Sequence, residues 1–234
     1  MASSLPPASA KLDQAPVVRA ARGNTVTLTC SCKACNFTDF LSMWDFYSRD
    51  GGTERPVQVA LRPSSKARAE DAGSRFPITH HGNSQSSLVI RDLQINDTGT
   101  YVCTMITKTP PPTLVLKGPK TRLEVYAPPH IWLSSATNAD HTSLVTCMAS
   151  DFYPQTLGIT LTVTCGEYRV LDDNTSLVVT SAGTFNMTQR AWVDAAGCRD
   201  GTAVTCSVKQ LTETRRTLWI PGLRQRGRES KGSL

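Results

Sequence analysis

The chain has 234 residues, of which 19% are charged and 39% hydrophobic, and it carries a net charge of +6 at pH 7. This composition excludes a largely disordered chain, and the length allows one large domain or two domains of about 100 residues each. The eight cysteines exclude an ordinary cytosolic chain, in which thiols stay reduced and rarely occur in this number without the spacing of metal ligands.

Acceptor patterns for N-linked glycans accompany the cysteines. The pattern Asn-x-Ser/Thr occurs at Asn36, Asn96, Asn174 and Asn186. Together these features predict a glycoprotein of the secretory pathway, outside the cell or at its surface. No run of residues has the apolar length of a leader or a membrane span. We therefore interpret the sequence as a mature extracellular segment whose native form is membrane-anchored through a part outside it, or as a secreted form.

Short alternating strands are predicted along the whole chain. Val, Leu, Thr and Ile alternate with polar residues, and no stretch keeps a helical periodicity over several turns. The runs are Val26–Cys30, Ser87–Ile90, Tyr101–Ile106, Leu144–Met148, Leu157–Val163 and Ala203–Val208. This pattern is typical of an all-β sandwich or barrel.

A domain boundary is predicted at Tyr126-Ala127-Pro128-Pro129, because prolines cannot donate to a ladder and they stiffen an extended connector. The same order of strands and cysteines recurs on both sides of it. The predicted organisation is a flexible N-terminal segment at 1–17, two domains at 18–126 and 127–220, and a basic flexible tail at 221–234. We interpret the tail as a solvated stalk, with polyanion binding as the alternative.

The first half contains a characteristic set of residues, in which Cys30 is followed by Trp44 and by the run Asp97-Thr98-Gly99-Thr100-Tyr101-Val102-Cys103. This set resembles the signature of a variable-type immunoglobulin domain. The resemblance implies that Cys30 and Cys103 bridge two sheets and that Trp44 packs on the bridge. It also implies that the Tyr101 hydroxyl bonds back to the turn and that Asp97 pairs with Arg75.

The last strand of this half departs from the variable-type pattern. Gly118-Pro119-Lys120-Thr121-Arg122-Leu123-Glu124-Val125 resembles Gly-x-Gly-Thr-x-Leu-x-Val, with Lys120 at the second glycine. Lys120 argues against the bulge through which antigen-receptor chains pair. It therefore argues against an antibody or T-cell-receptor chain.

The second half resembles a diverged constant-type immunoglobulin domain. Its motifs are Cys147-Met-Ala-Ser-Asp-Phe152-Tyr153-Pro154 and the region Val204–Gln210 around Cys206. The resemblance implies a Cys147–Cys206 bridge. Leu161 stands where the buried tryptophan normally lies, and valine replaces the tyrosine that precedes the second cysteine.

Four other cysteines, Cys32, Cys35, Cys165 and Cys198, lie outside these two bridges. In an immunoglobulin sandwich Cys165 and Cys198 would lie at the same pole on opposite sheets, so a second bridge between them is expected. For Cys32 and Cys35 we favour a local bridge, with interchain disulfides and free or metal-bound thiols as the alternatives. No histidine is spaced to help Cys165 and Cys198 hold a metal, and no metal site or cofactor is predicted.

As a whole, the chain resembles the variable-plus-constant ectodomain of the butyrophilin and B-seven co-signalling ligand family, and the nearest pattern is the B-seven ligand of a natural-killer activating receptor. The resemblance rests on the run from Asp97 to Cys103, on Leu123-Glu-Val-Tyr-Ala-Pro-Pro, on Phe152-Tyr-Pro and on Gly183-Thr-Phe-Asn-Met-Thr. It implies a cell-surface immune ligand or receptor that binds a protein counter-receptor. The alternatives are a tapasin-like lumenal chaperone of antigen-presenting molecules, a homophilic adhesion molecule that forms a homodimer, and a secreted decoy.

The binding surface is expected on the outer face of the sheet that contains Trp44 and Cys103. If these side chains point inward, then Asp45 and the residues on either side of Cys103 point outward. The proline-rich loop 107–113 should lose little entropy on binding. The predicted contacts are Tyr47, Val102, Thr104, Ile106, Lys108, Pro110, Pro111 and Pro112. The alternative is that an extra loop or a second copy covers the face.

Catalysis and nucleic-acid binding find no support in the sequence. The chain lacks the Gly-x-Ser-x-Gly, His-Glu-x-x-His and phosphate-cradling glycine patterns. The paired histidines His80 and His81 are predicted to lie in a solvated turn. Basic residues are scattered, without an aromatic platform for bases. We therefore predict a protein that is not an enzyme.

Overall fold

A computed structural model gives the structure of the chain. It describes residues 10–33, 35, 37, 39–48, 57–63, 74–109, 113–138, 142–171, 176–195, 197–198, 200–210 and 213–221. The chain divides into two compact units, Met1–Tyr126 and Ala127–Leu234, which we call the N-terminal and C-terminal domains. The division falls at the junction that the two prolines mark in the sequence.

The N-terminal domain is a sandwich of a four-stranded sheet, ordered β1-β3-β7-β6, and a five-stranded sheet, ordered β2-β9-β8-β4-β5. Its strands are β1 (Leu12–Gln14), β2 (Val17–Ala21), β3 (Val26–Cys32), β4 (Asp39–Ser48), β5 (Val57–Pro63), β6 (Ile78–His81), β7 (Gln85–Ile90), β8 (Gly99–Thr109) and β9 (Val115–Tyr126). One helical turn, Ile95–Asp97, precedes β8.

The core of this domain forms because alternate residues of facing strands point between the sheets. Leu28, Leu88 and Ile90 come from one sheet, and Trp44 and Tyr101 come from the other. All five are almost fully buried. Removing such side chains from water stabilises the fold by roughly 1.5–3 kcal/mol each.

The N-terminal domain begins earlier than the sequence predicts. Residues 1–17 were expected to be a flexible segment, but Leu12–Gln14 form β1 and pair antiparallel with β3, while Val17 opens β2. Gln14 holds the strand in place, because its side-chain nitrogen donates to Thr121 Oγ1 at 3.0 Å and its oxygen accepts from the Cys103 amide at 3.0 Å. The expectation is therefore wrong for 12–17, and residues 1–9 lie outside the described part of the chain.

A bulge in β9 also contradicts the sequence prediction. Val102 pairs with Lys120 and Thr104 with Lys117, so β9 has one more residue than β8 between these pairs. Gly118 lies in the bulge, where a Cβ would come within 2.3 Å of Gln14 Oε1. Lys120 therefore does not prevent a bulge in this strand, and the side chain of Gln14 occupies the space beside Gly118.

The C-terminal domain is a second sandwich. One sheet has the order β10-β11-β15, with β13 and β14 both along the free edge of β15, and the other has the order β12-β16-β17. Its strands are β10 (His130–Thr137), β11 (Thr142–Phe152), β12 (Gly158–Val163), β13 (Glu167–Val170), β14 (Ser176–Val179), β15 (Phe185–Asp194), β16 (Thr202–Lys209) and β17 (Glu213–Ile220).

The core of the C-terminal domain is built mainly from aliphatic residues and one buried aromatic ring. Phe152 is fully buried, together with Val145, Leu161 and Val204. Leu161 pairs in register with Cys206, as Trp44 pairs with Cys103 in the first domain. The predicted replacement of the core tryptophan by Leu161 is therefore confirmed.

The strands that the sequence predicts all lie within β3, β7, β8, β11, β12 and β16, apart from Leu157, which immediately precedes β12. The solvated turn predicted for His80 and His81 is wrong, because both belong to β6. Within the described residues, no helix has the length and apolar character needed to cross a membrane.

Candidate functional site

The outer face of the five-stranded sheet is the surface on which the sequence places a binding site. Trp44, Tyr101, Cys103 and Met105 point into the core. The residues between them on β4 and β8 therefore point away from it. β5 and β9 flank these two strands and widen the face on either side.

The apolar group expected on this face is only partly exposed. Val102 is 1% exposed and Thr104 is also buried, whereas Tyr47 and Ile106 are half-buried. Val102 lies on the central strand β8 between Asp45 on β4 and Lys120 on β9. Longer neighbours on both sides leave it little contact with water. The expectation that Val102 is exposed is therefore wrong.

A different apolar group occupies one end of the face. Ile106 pairs with Leu41 on one side and with Val115 on the other, and Met43 pairs with Leu61. Leu61 is 51% exposed and Val115 is 66% exposed. We call Leu41, Met43, Leu61, Ile106 and Val115 the apolar patch.

Sequence reasoning found only Ile106 of the apolar patch, although the signal for Leu41 and Met43 was present. Side chains of β4 alternate in both directions from Trp44. The alternation that points Asp45 and Tyr47 outward therefore also points Met43 and Leu41 outward. Leu61 and Val115 carry no such signal. Their places on the face depend on which strands lie beside β4 and β8.

Asp45 lies next to the patch in an environment unusual for a carboxylate. It is largely buried, and burial raises the pKa of its carboxyl above the ordinary value, while the positive charge of Lys117 lowers it in part. A carboxylate that is desolvated on a potential binding face is often functional. Lys117, Lys120 and Arg122 line β9 on the same side and are exposed, which makes this edge of the face basic.

The loop after β8 emerges beside the apolar patch. The Thr107 amide donates to the Leu114 carbonyl at 2.9 Å, and the Leu114 amide donates to Thr107 Oγ1 at 2.8 Å. These bonds close the hairpin directly after the pair Ile106–Val115. The side chain of Lys108 and the residues Pro110, Pro111 and Pro112 lie outside the described part of the structure.

Family models match both halves of the chain. Residues 13–126 match the immunoglobulin V-set domain, and residues 130–213 match the immunoglobulin C1-set domain. The chain belongs to the immunoglobulin superfamily. No curated protein matches it. The V-set domain is thus the N-terminal domain and carries the apolar patch, while the C1-set domain is the C-terminal domain.

The features that the immunoglobulin resemblance implies are present in the V-set domain. Cys30 is joined to Cys103, and Trp44 is buried beside them. The Tyr101 hydroxyl donates to the Asp97 carbonyl at 3.1 Å, and burial raises the pKa of this phenol. Asp97 forms an ion pair with Arg75 and accepts the Gln94 amide at 2.8 Å. This corner fixes the base of β8 and, through it, the outer face.

All eight cysteines are paired. Besides Cys30–Cys103, the bonds are Cys32–Cys35, Cys147–Cys206 and Cys165–Cys198. The local pairing of Cys32 with Cys35 therefore prevails over interchain or metal-bound thiols. Immunoglobulin domains with such disulfides indicate a protein of the secretory pathway.

Two of the predicted glycan acceptors can be placed. Asn96 is exposed in the helical turn before β8, and the length of β8 separates it from the apolar patch by more than about 20 Å. Asn186 lies on β15 of the C1-set domain. Asn36 and Asn174 lie outside the described residues.

The one serine–histidine contact is structural. Ser42 Oγ lies 2.7 Å from His80 Nε2, and this bond links β4 to β6 across the sandwich. Ser42 is completely buried, so no substrate can reach its hydroxyl. Within the described part of the chain, no group of histidine, cysteine or acidic side chains is arranged to hold a metal ion. Immunoglobulin domains typically act by binding and not by catalysis.

Proposed function

We propose that this chain is the ectodomain of a non-enzymatic cell-surface immune recognition protein, a ligand or a receptor, and that its V-set domain binds a protein counter-receptor through the apolar patch. The single observation that carries the proposal is the exposure of Leu61 and Val115 beside Ile106 on one sheet face. Exposed apolar groups rimmed by polar residues are typical of protein interfaces.

The equivalent face of the C1-set domain provides a comparison within the same chain. On β12 and β16 the outward residues next to Leu161 and Cys206 are Thr160, Thr162 and Thr205. Thr205 Oγ1 bonds Thr217 Oγ1 of β17 at 3.0 Å. The centre of this face is therefore polar, and among the described residues its one exposed large apolar side chain is Trp219 of β17, beside Ala203. In the V-set domain, by contrast, the apolar patch spans four adjacent strands.

The chemistry of the face indicates the kind of partner that it fits. The patch favours a partner with apolar side chains at its centre, and the exposed Lys117 and Lys120 favour acidic groups at the adjoining rim. Tyr47 lies at the other end of β4, where it adds an aromatic contact to the same face. The loop with Lys108 and Pro110 to Pro112 remains a predicted contact, because it leaves the domain beside Ile106.

The finer family assignment is part of the proposal. The variable-plus-constant arrangement and the motifs around Cys103 and Phe152 support a relative of the butyrophilin and B-seven co-signalling ligands. An immune role at the cell surface follows from that resemblance, while glycosylation rests on the acceptor patterns at Asn36, Asn96, Asn174 and Asn186. A tapasin-like chaperone or a homophilic adhesion molecule would share the same two domains.

The proposal is tested by finding the counter-receptor and then altering the patch. The tagged chain is screened against cell-surface immune receptors, and any binding is measured again for Leu61→Arg and Val115→Arg. The matched control is Val178→Arg, which alters a residue that is 55% exposed in the C1-set domain. We expect each patch variant to weaken binding at least about tenfold, or about 1.4 kcal/mol, and the control to leave it unchanged.

Two results would contradict the proposal. In the first, both patch variants bind as well as the unaltered chain while Val178→Arg loses binding. In the second, the chain sediments as a stable dimer that Val115→Arg dissociates, because then a second copy covers the patch.

A further inference from the structure

The C1-set domain also exposes an apolar surface, on the outer side of its larger sheet. Trp132 of β10 is 66% exposed and pairs in register with Met148 of β11, which pairs with Thr188 of β15. Val178 of β14 extends the surface and pairs with Asn186. We call Trp132, Met148, Thr188, Asn186 and Val178 the Trp132 face.

All five side chains of the Trp132 face point the same way. Cys147 and Ala149, the neighbours of Met148, are buried in the core, and Phe185 and Met187, the neighbours of Asn186, pack against that core. Because side chains alternate along a strand, Met148, Asn186 and Thr188 point outward. Asn186 therefore lies among exposed apolar residues and away from the interior.

Asn186 is also the acceptor of the pattern Asn186-Met187-Thr188. Its side-chain oxygen accepts the Asp151 amide at 2.8 Å. This bond uses the oxygen only, so it is compatible with a sugar attached to the side-chain nitrogen. It also fixes the direction in which the sugar would leave the sheet.

We propose that the N-linked glycan of Asn186 lies across the Trp132 face and covers it. Thr188 lies two strand spacings from Trp132 across the sheet, and Asn186 lies two residues further along β15. The Cα atoms of Asn186 and Trp132 are therefore about 12 Å apart. A glycan core of several sugars extends that far. The C–H faces of its sugars can pack on the indole of Trp132 and on Met148, while the hydroxyls remain in water. The glycan thus takes the place of a partner protein on this side of the domain.

The test removes this glycan alone and follows Trp132. Thr188→Ala abolishes the acceptor pattern without touching the Asn186–Asp151 bond, and Thr188→Ser keeps the pattern and is the matched control. The chain is produced in mammalian secretory cells, and glycopeptide mass spectrometry determines the occupancy of Asn186. Acrylamide quenching of tryptophan fluorescence then reports the exposure of the indoles.

Two further variants, Trp219→Phe and Trp132→Phe, show which indole is responsible for a change in quenching. Trp219 is 58% exposed on β17 of the other sheet, away from Asn186. In a Trp219→Phe background, Thr188→Ala should raise the quenching constant roughly twofold, because the indole of Trp132 loses its cover. In a Trp132→Phe background, Thr188→Ala should leave the quenching constant unchanged. Thr188→Ser should behave as the unaltered chain in both.

Three outcomes would overturn the inference. One is an unoccupied Asn186 in the secreted chain. Another is a quenching constant that does not change on loss of the glycan in the Trp219→Phe background. The third is a glycosylated chain that forms a dimer which Trp132→Glu dissociates, because the face is then covered by a second copy. If the Thr188→Ala chain is not secreted, Asn186→Asp is used in its place in each experiment. This substitution also removes the glycan and keeps an oxygen that can accept from the Asp151 amide.

Discussion

The two domains have the same strand pairing around the inter-sheet disulfide, but different side chains fill the core beside it. In the V-set domain Trp44 pairs with Cys103, and Tyr101 lies two residues before that cysteine. In the C1-set domain Leu161 pairs with Cys206, and Val204 lies two residues before it. The strand register is the same, but aliphatic side chains replace the aromatic ones at these two positions, and Phe152 is the fully buried aromatic ring of the second core. The fold therefore depends on the strand register and on the disulfide between the sheets. The core side chains beside that disulfide can change without changing the fold.

The second disulfide of the C1-set domain closes a long segment, whereas that of the V-set domain joins residues only 3 apart. Cys165, between β12 and β13, is joined to Cys198, between β15 and β16, so the bond ties together two connections that each run from one sheet to the other. Gly166 makes this bond feasible, because its φ is +85° and a Cβ would come within 2.2 Å of the Asp194 carbonyl. The second bond constrains the unfolded chain where the aromatic core no longer contributes.

The comparison predicts that truncating the aromatic core residue of the V-set domain costs more than truncating its aliphatic counterpart in the C1-set domain. Trp44→Ala should destabilise the V-set domain by about 4 kcal/mol, because it removes a fully buried indole and leaves a cavity. Leu161→Ala should destabilise the C1-set domain by about 3 kcal/mol, since the side chain is smaller. Hydrogen exchange of β8 and β16 under native conditions measures the two domains separately. Equal losses would contradict the idea that the two cores are filled differently.

The second disulfide should contribute nearly as much to the C1-set domain. On the chain-entropy model, a bond between residues 33 apart contributes about 3.5 kcal/mol. Replacing Cys165 and Cys198 by serine should therefore lower the free energy of unfolding of this domain by about that amount in urea titrations. The control replaces Cys32 and Cys35, which are only 3 residues apart, and should cost about 1.5 kcal/mol. A larger loss from the control pair would overturn this account.

The smallest effect concerns the outer faces, where the V-set domain buries Asp45 and the C1-set domain exposes threonines. Because the pKa of Asp45 is raised on folding, the folded domain holds this proton more tightly than the unfolded chain, and stability falls as pH rises from the unfolded pKa through the folded one. Asp45→Asn should thus stabilise the V-set domain at pH 7 and have no such effect below pH 3.8, the ordinary pKa of the carboxyl. Thermal unfolding between pH 3 and 7 measures this. A gain that is constant over the whole range would argue against titration of Asp45.

Features set by local spacing could be predicted from the sequence. The pairs Cys30–Cys103 and Cys147–Cys206, the corner at Asp97 and Tyr101, and the aliphatic substitute Leu161 are implied by the resemblance to immunoglobulin domains, which rests on residue types at short distances from a cysteine. The short alternating runs correspond to six of the seventeen strands that the structure describes. These runs could be recognised because the alternation of side chains depends on a single strand.

Features that depend on neighbouring strands could not be predicted. Val102 alternates as an outward residue does, yet flanking strands bury it. Leu61 and Val115 join the patch only because β5 and β9 lie beside β4 and β8. The strand β1 has three residues, too few to show a period, and it is held by the side chain of Gln14. Which strands lie side by side in a sheet is decided by tertiary packing. A single sequence contains no direct signal of that order.

The pairing of β2 with β9 is parallel, from Val17 beside Arg122 to Ala21 beside Tyr126. Tension applied between the start of β2 and the end of β9 would slide these two strands lengthwise past each other. All the bonds of the ladder then share the load at once, whereas an antiparallel hairpin pulled from its open end gives way one bond at a time. A load between these two points therefore meets more resistance than the same load on such a hairpin.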